Sequence, residues 1–154
     1  MKLRPGTPAD AEAIAGLIAS FQPELTDRPD GLGADQYLAS VSCQSERGYL
    51  ESDRYTYIVA EHEGTLLAFI ALRDGNHIFH MFVARQHQRM GLARKLWQEA
   101  KASVPTNAKP ELFTVNSSLL AVPVYRAFGF EPVSEVVSAH GISFQPMRLT
   151  ENEA

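Results

Sequence analysis

Gln88-x-x-Gly91-x-Ala93 lies between an apolar run that ends at Val83 and a helical pattern that opens at Leu92. The first backbone N–H groups of a helix have no partner within it, and the macrodipole makes that end attractive to anions. Gly91 and Ala93 keep bulky side chains out of a phosphate's path to those amides. Charge points the same way. The chain has 14 basic and 18 acidic residues, yet Gly75 to Gln98 holds Arg85, Arg89, Arg94 and Lys95 and no acid. Ten basic residues face 18 acids elsewhere. An acidic chain with one basic strand–loop–helix element is suited to hold a phosphorylated small molecule.

Other reactive side chains give less pattern. His77 and His80 stand three apart on a strand, where strict alternation sends them to opposite faces, and the five histidines lack metal-ligand spacing. No metal is expected. His62 and His140 sit in turn contexts at the surface. Cys43 falls on an expected helix with no histidine motif nearby, so a thiol nucleophile is not indicated, and a single cysteine favours a reducing compartment. With 154 residues the chain fits one domain, spanning 1–150, with a frayed tail at 151–154. A net charge of −4 argues against nucleic-acid binding. The start faintly imitates a secretory signal, but Pro8, Asp10 and Glu12 interrupt it, and Ile14, Leu17, Ile18 and Phe21 fall on one helical face. No run is long enough to span a bilayer, and a cytoplasmic domain is expected.

The elements that must position these residues read as β-α-α-β-β-β-α-β-α-β-β. Leu3 and Arg4 begin a strand. Thr7, Pro8 and Asp10 then supply an N-cap, a first-turn proline and a capping acid for a helix to about Ser20. A loop follows over Phe21 to Gly33, then a second helix over about 34–46. Strands are expected at Tyr55–Glu61, Leu66–Leu72 and His77–Val83, turned by Glu63-Gly64 and Asp74-Gly75. After Gly91, a helix buries Leu92, Leu96, Trp97 and Ala100. Leu112 to Val115 is a strand, Ala121 to Phe128 a short helix ended by Gly129, and Val133–Val137 with Ile142–Arg148 a last hairpin around His140-Gly141. Such an order predicts an α/β (α+β) fold: a mixed, mostly antiparallel sheet with helices on both faces.

Two motifs in this order resemble the GNAT superfamily of acetyl-CoA-dependent N-acetyltransferases. One is Gln88-x-x-Gly91-x-Ala93. The other is Asn116-Ser-Ser-Leu-Leu-Ala121-Val-Pro-Val-Tyr125-Arg-Ala-Phe-Gly129-Phe130. The resemblance covers essentially the whole chain. It implies that Gln88, Arg89, Met90, Gly91, Leu92 and Ala93 wrap the pyrophosphate of coenzyme A, with Arg94 near the phosphates. It implies pantetheine along Met81, Phe82 and Val83 as an added strand, and Asn116 bonding that arm or an ordered water. Ser118 stands where many relatives carry asparagine.

Tyr125 corresponds to the tyrosine that protonates the departing thiolate in such enzymes. A phenol of pKa about 10 suits a thiolate whose conjugate acid lies near 8.5 to 10. Strict alternation would put His77 on the side of Met81 and Val83, which makes it the better-placed general base, with an oriented water as the alternative; His80 reads as a satisfied histidine beneath a helix. Phe79 occupies a place that is often acidic in relatives. Arg85 and His87 read as solvated loop residues, and Trp97 as core.

The expected reaction is direct transfer from acetyl-CoA to a primary amine in a ternary complex. The acceptor would enter between the Phe21–Gly33 loop and the final hairpin. Glu24, Asp27, Asp30 and Asp35 there suggest either a cationic amine or merely solvated acids. A non-catalytic acyl-CoA-binding module and a nucleotide-phosphate binder are the competing readings, although the chain lacks the Gly-Lys-Ser/Thr ending of a P-loop. Relatives often dimerise through sheet edges or the C-terminal strands, so the resemblance leaves a homodimer open.

Overall fold

Backbone torsions of opposite hand to the strands set the hairpins. Glu63 and Gly64 (φ 51° and 81°) and His140 and Gly141 (φ 54° and 79°) form two-residue turns, while Asp74 and Gly75 (φ 55° and 76°) lead a three-residue turn. Such turns match the right-handed twist of the strands they join. The computed structural model describes residues 1–108 and 110–150. The expected tail at 151–154 lies outside them.

Among the described residues eight strands form one sheet: β1 (Lys2–Pro5), β2 (Tyr55–His62), β3 (Thr65–Arg73), β4 (His77–Val83), β5 (Leu112–Ser118), β6 (Glu131–Pro132), β7 (Val137–Ala139) and β8 (Ile142–Thr150). Their order is β1-β2-β3-β4-β5-β8-β6, with β7 on β8. The β4–β5 pair is parallel and the others are antiparallel. The mixed, mostly antiparallel sheet is therefore as expected, but the single strand expected at Val133–Val137 is two short pieces. β6 pairs with β8 at Arg148 and Met147, β7 with β8 at Ile142 to Phe144, and Ser134 and Glu135 bridge them outside the ladder.

The helices are α1 (Ala11–Ala19), α2 (Gln22–Leu25), α3 (Asp35–Ser40), α4 (Cys43–Leu50), α5 (Leu92–Ser103) and α6 (Val122–Ala127). Where the sequence suggested a loop, α2 is a single turn with Pro23 at its start. The expected second helix is two, because Ser42 leaves the helical path and its hydroxyl accepts from Ser45 N at 3.1 Å, capping α4. Before α1, Asp10 accepts from Thr7 N at 2.8 Å and from Arg4 at 2.8 and 2.9 Å, tying β1 to the helix start.

Two cores flank the sheet. On one face Leu92, Leu96, Trp97 and Ala100 of α5 pack with Ile58, Ile70, Ile78, Phe113 and Val115. On the other, Ile14 and Ile18 of α1 pack with Val41, Tyr57, Val59 and Phe69. At roughly 25 cal/mol per Å² of apolar surface buried, these two layers are the main source of stability.

Candidate active site

An extra residue in β4 shapes the site. Ala71 faces His80 and Leu72 faces Ile78, so Phe79 has no partner of its own on β3. Such a bulge bends the strand and resets its parity. Beyond it, β4 and β5 separate: their ladder holds only His77 opposite Thr114 and Ile78 opposite Val115, with Thr114 N donating to Asn76 O at 2.9 Å. Before the bulge, even-numbered residues turn their peptide groups to β5. The extra residue makes Met81 and Val83 the ones that turn N–H and C=O into the gap.

The bulge also corrects the strict alternation expected for β4. Ile78, Met81 and Val83 pack on the α5 face, whereas Phe79, His80 and Phe82 pack on the α1/α4 face, with the Phe79 and His80 rings 4.1 Å apart. His77 does not share the face of Met81 and Val83. Its ring meets Thr114, which points away from the face buried by Phe113 and Val115.

After β4 the chain makes a short turn over Arg85–His87, and Gln88 Nε2 closes it by donating to Val83 O at 3.0 Å. Arg89 and Gly91 have positive φ (65° and 78°), and α5 starts at the next residue. Alternating hand along such a stretch turns successive amides to one concave side, a shape suited to anions. A Cβ built on Gly91 would meet nothing within 4 Å, so the approach is open. Arg94 points elsewhere, donating to Ala127 O at 3.2 Å over the Phe128 ring. Nor is Arg85 simply solvated: it lies over Phe21 and binds both Glu24 oxygens at 2.7 Å, joining α2 to the loop.

This loop, the Met81–Val83 edge and α6 enclose a cavity of about 600 Å³. It adjoins a second of about 290 Å³ through Met81, Phe82, Ser118 and Ala121. Tyr125 stands at the second, 4% exposed. Its hydroxyl has no protein partner among the described residues, and no buried polar side-chain atom is left unpaired, so the hydroxyl opens onto the cavity. Burial pushes the phenol above its ordinary pKa and keeps it protonated. Asn116 is exposed and lines the same space, while Ser118 accepts from Ala121 N at 3.3 Å and caps the turn before α6.

His77 Nδ1 pairs with Thr114 Oγ1 at 2.8 Å. Burial, then the positive charge of Arg73, push the imidazole down to about 4 against a smaller pull from Asp74. It is neutral at pH 7. As expected, His80 lies buried beneath a helix, and one of its two ring nitrogens is satisfied there: Nε2 is 2.9 Å from Glu46 of α4, whose carboxylate is fully buried and also accepts from Tyr57 Oη at 2.6 Å. His80 Nδ1 has no protein partner among the described residues and faces the smaller cavity. The sequence reading missed Glu46 and Arg73. Glu46 shares an i, i+3, i+4 stripe with Tyr49 and Leu50, so an acid on an inward stripe was the available signal.

The suggested doorway is closed at one point. Asp27 N donates to Gly141 O at 2.8 Å and Ser143 Oγ to Asp27 Oδ1 at 2.6 Å, so the loop and hairpin form a wall there.

The site thus combines a bulged strand, a parting parallel pair and a positive-φ loop opening a helix. Residues 25–151 match the acetyltransferase (GNAT) domain, and the chain belongs to that family. No curated protein sequence is significantly similar. Among solved structures, a GCN5-related N-acetyltransferase from Rhodopseudomonas palustris aligns with a TM-score of 0.77 at 17% identity, covering 97% of this chain and 94% of that one. The PaiA N-acetyltransferase of Thermoplasma acidophilum, in complex with coenzyme A, gives 0.75 at 13%, covering 97% and 98%. The ribosomal-protein-alanine N-acetyltransferase of Brucella melitensis gives 0.70 at 16%, covering 97% and 99%.

Proposed function

We propose that the chain moves an acetyl group from acetyl-CoA to a primary amine, with both bound at once in the gap between β4 and β5. The observation that carries this reading is the unpaired edge of β4 running directly into the positive-φ loop. Pantetheine adds to that edge at Met81 and Val83 beside Phe82. The pyrophosphate lies on the amides of Gln88, Arg89, Met90, Gly91, Leu92 and Ala93, with Arg94 stiffening the helix behind them. Asn116 bonds the pantetheine or an ordered water.

The amine nitrogen, once deprotonated, attacks the thioester carbonyl, whose oxygen becomes negative against the amide beside Met81. The C–S bond then breaks and Tyr125 gives its proton to the thiolate. An ammonium acceptor loses two protons overall: one ends on coenzyme A by way of Tyr125, the other leaves to solvent. The two imidazoles at the acceptor side receive them, His80 braced by Glu46 and His77 directly or through water. The competing reading, a coenzyme A binder without catalysis, leaves the open Tyr125 hydroxyl without a task.

Calorimetric titration with acetyl-CoA of the parent and of Gly91→Glu tests the site, since a carboxylate there collides with and repels the pyrophosphate. Binding by the parent and its loss in the folded variant are expected, followed by thiol release with a panel of primary amines. A folded parent that binds neither acetyl-CoA nor longer acyl-CoAs would overturn the reading.

A further inference from the structure

Arg73 stands apart from the other arginines. Arg4, Arg28, Arg54 and Arg85 each have a carboxylate partner, and Arg47, Arg89, Arg94, Arg126 and Arg148 are exposed to water. Arg73 is half-buried in the wall of the 290 Å³ cavity, with no carboxylate partner among the described residues. Its guanidinium lies 5.7 Å from the Phe79 ring centroid, and the adjacent Asp74 is occupied by Arg54 through both oxygens at 2.9 and 3.1 Å. A half-buried charge with no carboxylate at ion-pair distance feels only the field of Asp74, already bound to Arg54, and a ligand's opposite charge placed against it offsets part of its lost hydration.

The rest of the cavity strengthens the asymmetry. Among the described residues, Arg73 is the only charged one that lines it, and no aspartate or glutamate does. Three of the four loop acids that suggested a cationic acceptor are committed elsewhere, Glu24 to Arg85, Asp27 to Ser143 and Asp30 to Arg28, and the fourth, Asp35, is exposed and does not line this cavity. Tyr37, Phe79 and Phe144 make much of the wall apolar. Its volume is near the lower end of the roughly 300–1,000 Å³ usual for small-molecule sites.

Resting on the transfer reading above, we propose that the acceptor is a small primary amine that also carries an anionic group, seated on Arg73, with an apolar or aromatic body between the two. Geometry sets the span. The guanidinium lies over Phe79, and the thioester is placed at Met81, two residues on across the bulge, so the two seats are separated along β4 by at most about 7 Å. The amine and the anion are therefore at opposite ends of the molecule. Polyamines and other polycations are disfavoured by the positive charge of Arg73, which adds to burial in keeping His77 neutral.

Three probes on one benzylamine core test this, with a para carboxylate, hydrogen or aminomethyl group: 4-(aminomethyl)benzoate, benzylamine and para-xylylenediamine, compared by thiol release at saturating acetyl-CoA. The carboxylate probe is expected to exceed benzylamine in kcat/KM by at least about tenfold, the value of one charge-assisted contact, with the diamine lowest. Arg73→Gln should erase the ratio between the first two, and Arg73→Glu should invert the order of carboxylate and diamine. Calorimetric titration of the carboxylate probe into the parent and Arg73→Gln proteins, each saturated with coenzyme A, supplies a readout independent of turnover. Turnover with equal rates, or with the diamine preferred, overturns the anion seat and leaves acetyl transfer standing. Arg73-dependent binding without turnover of any amine supports the seat and overturns the transfer. Neither binding nor turnover of the carboxylate probe overturns the seat.

Discussion

Tyr125 combines a hydroxyl open to the cavity with a ring locked against Phe128 and Phe130 at centroid distances of 6.1 and 5.7 Å. Tyr125→Phe keeps the packing and removes the proton. We expect kcat to fall about 100-fold, the usual value of a general acid, with the acetyl-CoA dissociation constant measured by calorimetry little changed. His77 gives a prediction in pH. Its folded pKa of about 4 lies below the ordinary 6.5, so between those values the unfolded chain holds a proton that the folded chain does not. Its contribution to stability is complete above pH 6.5 and is lost as the pH falls toward 4. Urea midpoints should drop across that window in the parent and drop less in His77→Asn. If His77 is also the base, the acid limb of kcat/KM lies near pH 4 and is absent in the same variant.

At the scale of elements, α4 is pinned to the sheet by one buried carboxylate. Glu46 joins the helix to β2 through Tyr57 and to the bulge of β4 through His80. Burial and the nearby Glu46 charge push the Tyr57 phenol up, so it stays a donor. Glu46→Ala leaves two buried polar groups without a partner and should cost about 3 kcal/mol, read from urea unfolding. Glu46→Gln fills the same space and should cost less. If His80 takes the amine proton, Glu46→Gln still lowers kcat about tenfold or more, while acetyl-CoA affinity is retained. A kcat that simply follows stability across the two variants would assign Glu46 to the fold alone.

For the whole molecule, the acceptor wall depends on a contact between distant parts of the chain. The tip of the β7–β8 hairpin lies against residues 27–34, and a Cβ on Gly141 would stand 2.5 Å from Gly33 O. Gly141 also has φ 79°, where an added side chain is strained. Gly141→Ala should destabilise by about 1 to 3 kcal/mol and raise KM for the amine more than for acetyl-CoA. Urea unfolding and steady-state kinetics with both substrates varied would check the split. Ile142, Ser143 and Phe144 line the smaller cavity alone, which is why the two KM values should separate.

Local chemistry made much of this fold legible in the sequence. Gly64 and Gly141 announce turns because few residues other than glycine readily tolerate positive φ, and the spacing of Leu92, Leu96, Trp97 and Ala100 reveals the buried face of α5. The turn that opens α5 and the capped turn that opens α6 were legible for the same reason: each is set by adjacent residues. Tertiary structure decided the rest. Whether β4 alternates strictly depends on how it registers against β3, so no local signal at Phe79 revealed the bulge that turns His77 away from Met81 and Val83. The partners of Glu46 lie 11 and 34 residues away, and the isolation of Arg73 arises because Arg54, 20 residues from Asp74, occupies that acid. Such pairings depend on distances in space, which composition and periodicity along one chain do not contain.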